Sequence, residues 1–317
     1  MLELPVELQL KILADVFHSL KPTYPHFSCS SLLLTCRSIY SAAQPIYIKS
    51  TTLDLGTTIN LVKFLTSLSA PRIKQLRHLS LRALPVSICD DLEYSIFHPY
   101  GLEQVLPFIP DLQLDTLTIT DAFHGPHVRE HAFGHTATNV EVQNLVKAGC
   151  GWRKLFYRSE NTAWLQPAKF GYIANNGGRG LAMIHTTVPK RQPGNWDRMI
   201  KQRDGPDSGA NVRMWVRQDG NWVEVPASDE EGDIEEEFDW NRYDLSCDQA
   251  KYGNGDGSPQ IEIQITRGRD ADIINKRKPL EEHERKLYDL FDRMSWHEIK
   301  ESGKILAGDD ETPPLWY

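Results

Sequence analysis

Three stretches of one form recur at a constant interval in this chain. They are Leu76-x-x-Leu79-x-Leu81, Leu114-x-x-Leu117-x-Ile119 and Trp152-x-x-Leu155-x-Tyr157, each 38 residues after the one before. Apolar residues two apart suit a strand with one buried face. Between the copies lie Leu102/Val105/Leu106/Ile109 and Val140/Val142/Leu145/Val146, which recur at helical spacing. A strand, a helix and another strand at a fixed interval predict parallel strands joined by right-handed crossovers. The same alternation begins earlier. Ile46 to Leu55 reads as extended, and Thr57 or Thr58 caps a helix whose Leu61, Phe64, Leu65 and Leu68 share a face.

The spacing resembles an irregular leucine-rich-repeat sheet, which implies strands stacked side by side with a helix per repeat. The asparagine or cysteine that follows in regular repeats is replaced here by Arg82 and Ala83. Plain strand–helix alternation without repeat ancestry therefore stays open as the alternative. Beyond residue 151 the composition changes, because all eight tryptophans lie there: Trp152, Trp164, Trp196, Trp215, Trp222, Trp240, Trp296 and Trp316. Val212 to Val216 and Trp222 to Val225 flank Gln218-Asp219-Gly220-Asn221, a hairpin signal. Ile261, Ile263 and Ile265 alternate as a further strand, and Leu280, Leu287, Leu290, Phe291 and Met294 form the stripe of a final amphipathic helix. Loops around Trp164, Trp196 and Trp240 are candidates for an aromatic recognition surface. The fold class expected is α+β. A helical module spans 2–48, an irregular strand–helix sheet 50–160, and a mixed recognition region 161–317 whose acidic segment 227–240 reads as a disordered loop.

The opening 47 residues carry a second signal. Pro5 suits the start of a helix on which Leu8, Ile12, Leu13, Val16 and Phe17 recur at helical spacing. Ser30 or Ser31 is placed to cap a second helix bearing Leu32, Leu33, Cys36, Ile39 and Tyr40, which Pro45 is expected to stop. So short a pair has more apolar surface than it can bury alone. Leu4-Pro5-x-Glu7-Leu8-x-x-x-Ile12-Leu13, Cys36-Arg37-x-x-Tyr40 and Pro45-x-Tyr47 resemble the F-box, in particular the F-box-like proteins abundant in fungi. The resemblance covers about 45 residues. It implies a substrate receptor that docks on the Skp linker of a cullin–RING ubiquitin ligase and presents an unidentified protein target. The residues it points to for docking are Leu4, Pro5, Leu8, Ile12, Leu13, Leu33, Ile39 and Tyr40. The link His18 to Ser30, with Pro22 and Pro25, is longer than in a compact F-box. A similar fungal pattern, extended here by Ala43 between Tyr40 and Pro45, carries no assigned ligase role. It leaves open a free-standing F-box-like structural or interaction protein.

Charge separates the remaining classes. The net charge is −8, but Asp229 to Asp239 alone holds eight acids and no base, so the rest is balanced. Neither nucleic acid nor an anionic membrane is suggested as a partner, since both select clustered basic residues. Five cysteines without a C-x-x-C pair, and the lack of a signal-like start or a long apolar run, favour a cytoplasmic or nuclear setting. Lys276-Arg277-Lys278-Pro279 reads as solvated surface or a nuclear signal. One catalytic pattern stands out: His127, Glu130 and His131 have inverted zinc-peptidase spacing, within a run from His124 to His135. Gly125, Pro126 and Gly134 interrupt the helix this chemistry needs, so a zinc hydrolase is the remote reading. Asn175 to Gly180 lacks the lysine and the strand–loop–helix frame of a phosphate loop. No cofactor and no catalytic residue are expected.

Overall fold

The computed structural model describes residues 4–20, 22–23, 37–84, 86–89, 97–109, 111–122, 132–160, 192–218, 220–227 and 260–273. Its frame is a seven-stranded mixed sheet. β1 (Thr52–Thr57), β2 (His78–Arg82), β5 (Leu114–Thr120) and β6 (Trp152–Ser159) run parallel in that order. β9 (Ile261–Thr266) then pairs antiparallel with β6, and β7 (Asn211–Gln218) and β8 (Asn221–Val225) complete the order β1-β2-β5-β6-β9-β7-β8. A short antiparallel pair, β3 (Val86–Cys89) with β4 (Phe97–Tyr100), lies apart from this sheet.

The 38-residue interval becomes register. Leu79 pairs with Leu117 and Leu117 with Leu155, while Leu81 pairs with Ile119 and Ile119 with Tyr157. The antiparallel strands continue both rows, through Ile265 to Val212 and through Ile263 to Met214. Each row is buried, because alternation sends these side chains to one face. On that face pack α3 (Thr58–Ser67), α5 (Leu102–Val105), α6 (Ala132–Ala148) and α7 (Gly194–Asp204), with Leu61, Leu65, Leu102, Val105, Leu145, Val146, Trp196 and Ile200 in one core. β6 and β9 come from either side of residue 160, so sheet and core run across that division. A single turn, α4 (Ala70–Ile73), precedes β2 and adds Ile73 to the core. Among the described residues no helix is long and apolar enough to cross a membrane.

Local chemistry explains the element ends. Thr57 caps α3, its Oγ1 accepting from the Asn60 N–H at 3.3 Å. Gly56 takes φ +72° where the β1–β2 register slips, a conformation that disfavours a Cβ. Pro107 keeps the segment after β4 short: α5 gives way to a 3-10 turn over Leu106–Phe108. The carbonyls at the end of α6 are taken up by two guanidiniums. Arg203 donates to Val146 O and Gly149 O, and Arg267 donates to Gly149 O and, bidentately, to Asp204 at 2.7 and 2.9 Å. That node ties α6, α7 and the end of β9 together. Burial beside it pushes the Cys150 thiol up to about 11, so it stays protonated and unreactive.

Several expectations are corrected. Pro45 does not stop the second helix, because α2 runs Arg37–Ser50 with Pro45 inside it. Ile46 to Ser50 is consequently helical, and extended chain begins only at Thr52. The lost hydrogen bond is offset by packing: Ile46 and Tyr47 lean on Leu13, Phe17 and Ala43, with the Phe17 and Tyr47 rings edge to face at 5.2 Å. Val140 points outward, and Glu141 takes the inward position in α6. Trp196 is wholly enclosed between α7 and the sheet and presents no recognition surface. Trp164, Trp240, the acidic segment and the final amphipathic stripe lie outside the described residues. Replacing the mid-helix proline tests the first correction. Pro45→Ala is expected to stabilise the protein by about 1–2 kcal/mol in urea unfolding, since a helix-interior proline costs about 3 kcal/mol and part of that returns through a freer unfolded chain. Destabilisation would mean that the helix ends before this residue.

Candidate functional site

α1 (Val6–Ser19) and α2 pack as a pair with a core of their own. Leu13, Phe17 and Ala43 are buried there, and Leu20, Ile46 and Tyr47 pack against them. Among the described residues, contacts of several kinds tie the pair to the sheet and its core. Ile48 touches the main core, the Asp54 N–H donates to Pro22 O at 3.0 Å, Thr23 bridges to Asp54, and the His18 ring meets His78 at 6.2 Å. Burial lowers the His78 pKa, with the facing His18 and Arg77 adding to the effect and Asp115 opposing it.

The apolar residues of α1 fall on two faces. Leu13 and Phe17 point inward, whereas Leu8, Ile12 and Val16, spaced four apart, line an outer stripe, and Leu4 just before the helix is exposed as well. With Tyr40 on α2 these side chains are 40–48% exposed. They make up five of the eight large apolar side chains exposed among the described residues. A single neighbour covers one stripe of a helix, so the second stripe of α1 is left to solvent. Glu7, Lys11 and Asp15 are exposed beside it and keep the helix soluble. Pro5 is exposed at the helix start, its carbonyl accepting from the Leu8 and Gln9 N–H groups at 3.0 and 3.1 Å.

Of the eight residues expected to dock, Leu4, Pro5, Leu8, Ile12 and Tyr40 are exposed together on this pair. Leu13 is turned into the pair's own core. Ile39 lies on α2, where only its backbone is described, and Leu33 lies outside the described residues. Val16 joins the stripe and was readable from its spacing, one turn beyond Ile12. His127, Glu130 and His131 lie outside the described residues. Among the described residues no group of three histidine, cysteine or acidic side chains is placed to hold a metal.

A second cluster escaped sequence reasoning. At the carboxyl ends of β5 and β6, Ser159 Oγ donates to Asp121 at 2.7 Å and Thr138 Oγ1 donates to the same carboxylate at 3.1 and 3.2 Å. Tyr157 OH donates to Glu141 at 2.9 Å. All five side chains are buried. Burial, then the charges of Glu103 and Asp121, push the Glu141 carboxyl well above the usual range, against the hydrogen bond from Tyr157. The arrangement binds α6 to two central strands, and burial, against the Tyr157 hydrogen bond, favours the neutral form of Glu141.

No family model, no curated protein and no solved structure matches the chain.

Two measurements check this geometry. Leu8→Asp with Ile12→Asp is expected to shift stability by less than about 1 kcal/mol, as exposed substitutions do, whereas Phe17→Ala costs about 3–5 kcal/mol. Equal losses would place both sets in one core. For Glu141 the folded state holds its proton to higher pH than the unfolded chain, whose carboxyl titrates near 4.5. Stability is therefore greatest below that point and falls as pH rises through the raised value. Glu141→Gln keeps an acceptor for Tyr157 and removes this term, so its melting temperature should fall less between acidic and alkaline pH than the wild type's. Parallel profiles would contradict the raised pKa of the buried Glu141 carboxyl.

Proposed function

We propose that the chain is a non-catalytic substrate-recognition adaptor, in which the F-box-like pair α1–α2 docks on the Skp linker of a cullin–RING ubiquitin ligase. The observation that carries this reading is the exposure of Leu8, Ile12 and Val16 along α1, and of Leu4 and Tyr40, on a helical pair with its own small core. Leu4, Leu8, Ile12 and Tyr40 are among the residues that carry the F-box resemblance. Burying their exposed halves supplies on the order of 1 kcal/mol each, so several together with polar rim contacts offset the entropy of association. Leu13 acts from behind, holding α1 on α2 so that the stripe stays in place.

The sheet is the natural platform for a protein target. With one face buried under helices, it carries on the other face Ser80, Thr118 and Phe156, half-buried, and the exposed Arg213. Catalysis belongs to the assembled ligase, and this subunit supplies proximity between a target lysine and loaded ubiquitin. Such a complex works in the cytoplasm or nucleus. The competing reading, a free-standing protein whose helices merely cap the sheet, requires Leu8 and Ile12 to be satisfied internally, and their exposure counts against it.

Co-purification with the Skp linker tests the proposal. The intact protein is expected to bind, and the folded Leu8→Asp, Ile12→Asp variant to lose about 100-fold or more in affinity, since two buried charges cost several kcal/mol. Failure of the intact protein to bind at micromolar concentration would remove the ligase role.

A further inference from the structure

We propose that β8 pairs antiparallel with β8 of a second copy of this chain, joining two sheets across a two-fold axis. Among the described residues β8 is last in the strand order and pairs with β7 alone, through five successive pairs from Met214↔Val225 to Gln218↔Asn221. Its outer backbone edge is thus a row of main-chain groups that takes another strand. Asn221, Trp222, Val223 and Glu224 are all exposed, and only Val225 is buried. Trp222 is 45% and Val223 37% exposed.

Edges that stay single carry blunting devices: proline, lysine or a bulge. β8 is short and carries one charge, Glu224, but has no proline or lysine among its five residues and no bulge, as Asn-Trp-Val-Glu-Val in unbroken register. Pro226 follows directly and sets Val225 as the last pairable residue. The opposite edge differs, because Asp54 on β1 is already bonded to Pro22 and bridged by Thr23.

Charge and symmetry select a second copy as the occupant. Two-fold antiparallel pairing about the strand midpoint sets Val223 opposite itself and Trp222 opposite Glu224 of the other copy. No like charges meet. Glu224 is already held by Arg213 at 2.6 and 2.7 Å, and Trp222 stands in register with Arg217. Each row across the junction therefore reads Arg217–Trp222, then Glu224–Trp215 of the other copy, with the anion beside the aromatic and cationic end. Five residues a side bury less than the roughly 1,200 Å² of a standard interface, so the dimer is weak and concentration-dependent.

Sedimentation equilibrium of the full chain from about 5 to about 200 µM reads this association. It is run in parallel in the Leu8→Asp, Ile12→Asp background, which removes the apolar stripe of α1. A reversible dimer is expected in both. Val223→Lys and Val223→Glu, each placing like charges face to face, should each weaken it at least tenfold while leaving the circular dichroism unchanged. Mixing the two variants should restore a heterodimer. A wild type that stays monomeric throughout would overturn the proposal, and so would a dimer insensitive to both variants. Variants that fail to recover on mixing would overturn the register about Val223.

Discussion

Two apolar rows crossing the sheet, Leu79–Leu117–Leu155–Ile265–Val212 and Leu81–Ile119–Tyr157–Ile263–Met214, are what the rest of the structure depends on. They commit one face of the sheet to burial, and among the described residues four helices cover that face. The helical pair α1–α2 is not among them. It stands at the β1 side with a separate core, reaching the main one through Ile48. A pair excluded from the principal core buries only one stripe of α1 in its partner helix, so the stripe from Leu8 to Val16 stays at the surface. Exposure there follows from where the large core has its walls, and the proposed docking rests on it.

The parts of the fold that repeat locally were legible. A 38-residue interval in the sequence places equivalent leucines in register, because strands that start at equivalent points pair at equivalent points. Thr57 as a cap and the Gln218–Asn221 hairpin were likewise written in adjacent residues. Long-range features were not. β9 inserts between β6 and β7, although chain order suggests a β7–β8–β9 meander. Two-sided fit decides this: Ile261, Ile263 and Ile265 continue the buried rows, and Glu262 meets Arg158 at 2.6 Å from the neighbouring strand. No local pattern encodes that ion pair.

A proline and a valine misled for a related reason. Pro45 is a helix breaker only when nothing compensates, and Ile46 and Tyr47 beyond it have a hydrophobic cluster to join. Spacing places Val140 on the apolar stripe of its helix, yet it is exposed and Glu141 beside it is buried, bonded to Tyr157. Of the docking set, spacing placed Leu8 and Ile12 correctly on an apolar helix. It could not separate them from Leu13, because a stripe facing a partner helix and one facing solvent share the same periodicity. Only the position of α2 tells them apart.

The central claim is that an exposed stripe on a separately cored helical pair is a docking surface for the Skp linker. Amide hydrogen exchange on the intact chain, with and without that linker, tests it most directly. Slowed exchange concentrated in α1 and in α2 around Tyr40, with the central strands unchanged, is the predicted result. Unchanged exchange in α1 at saturating linker, or protection confined to the sheet, would contradict it.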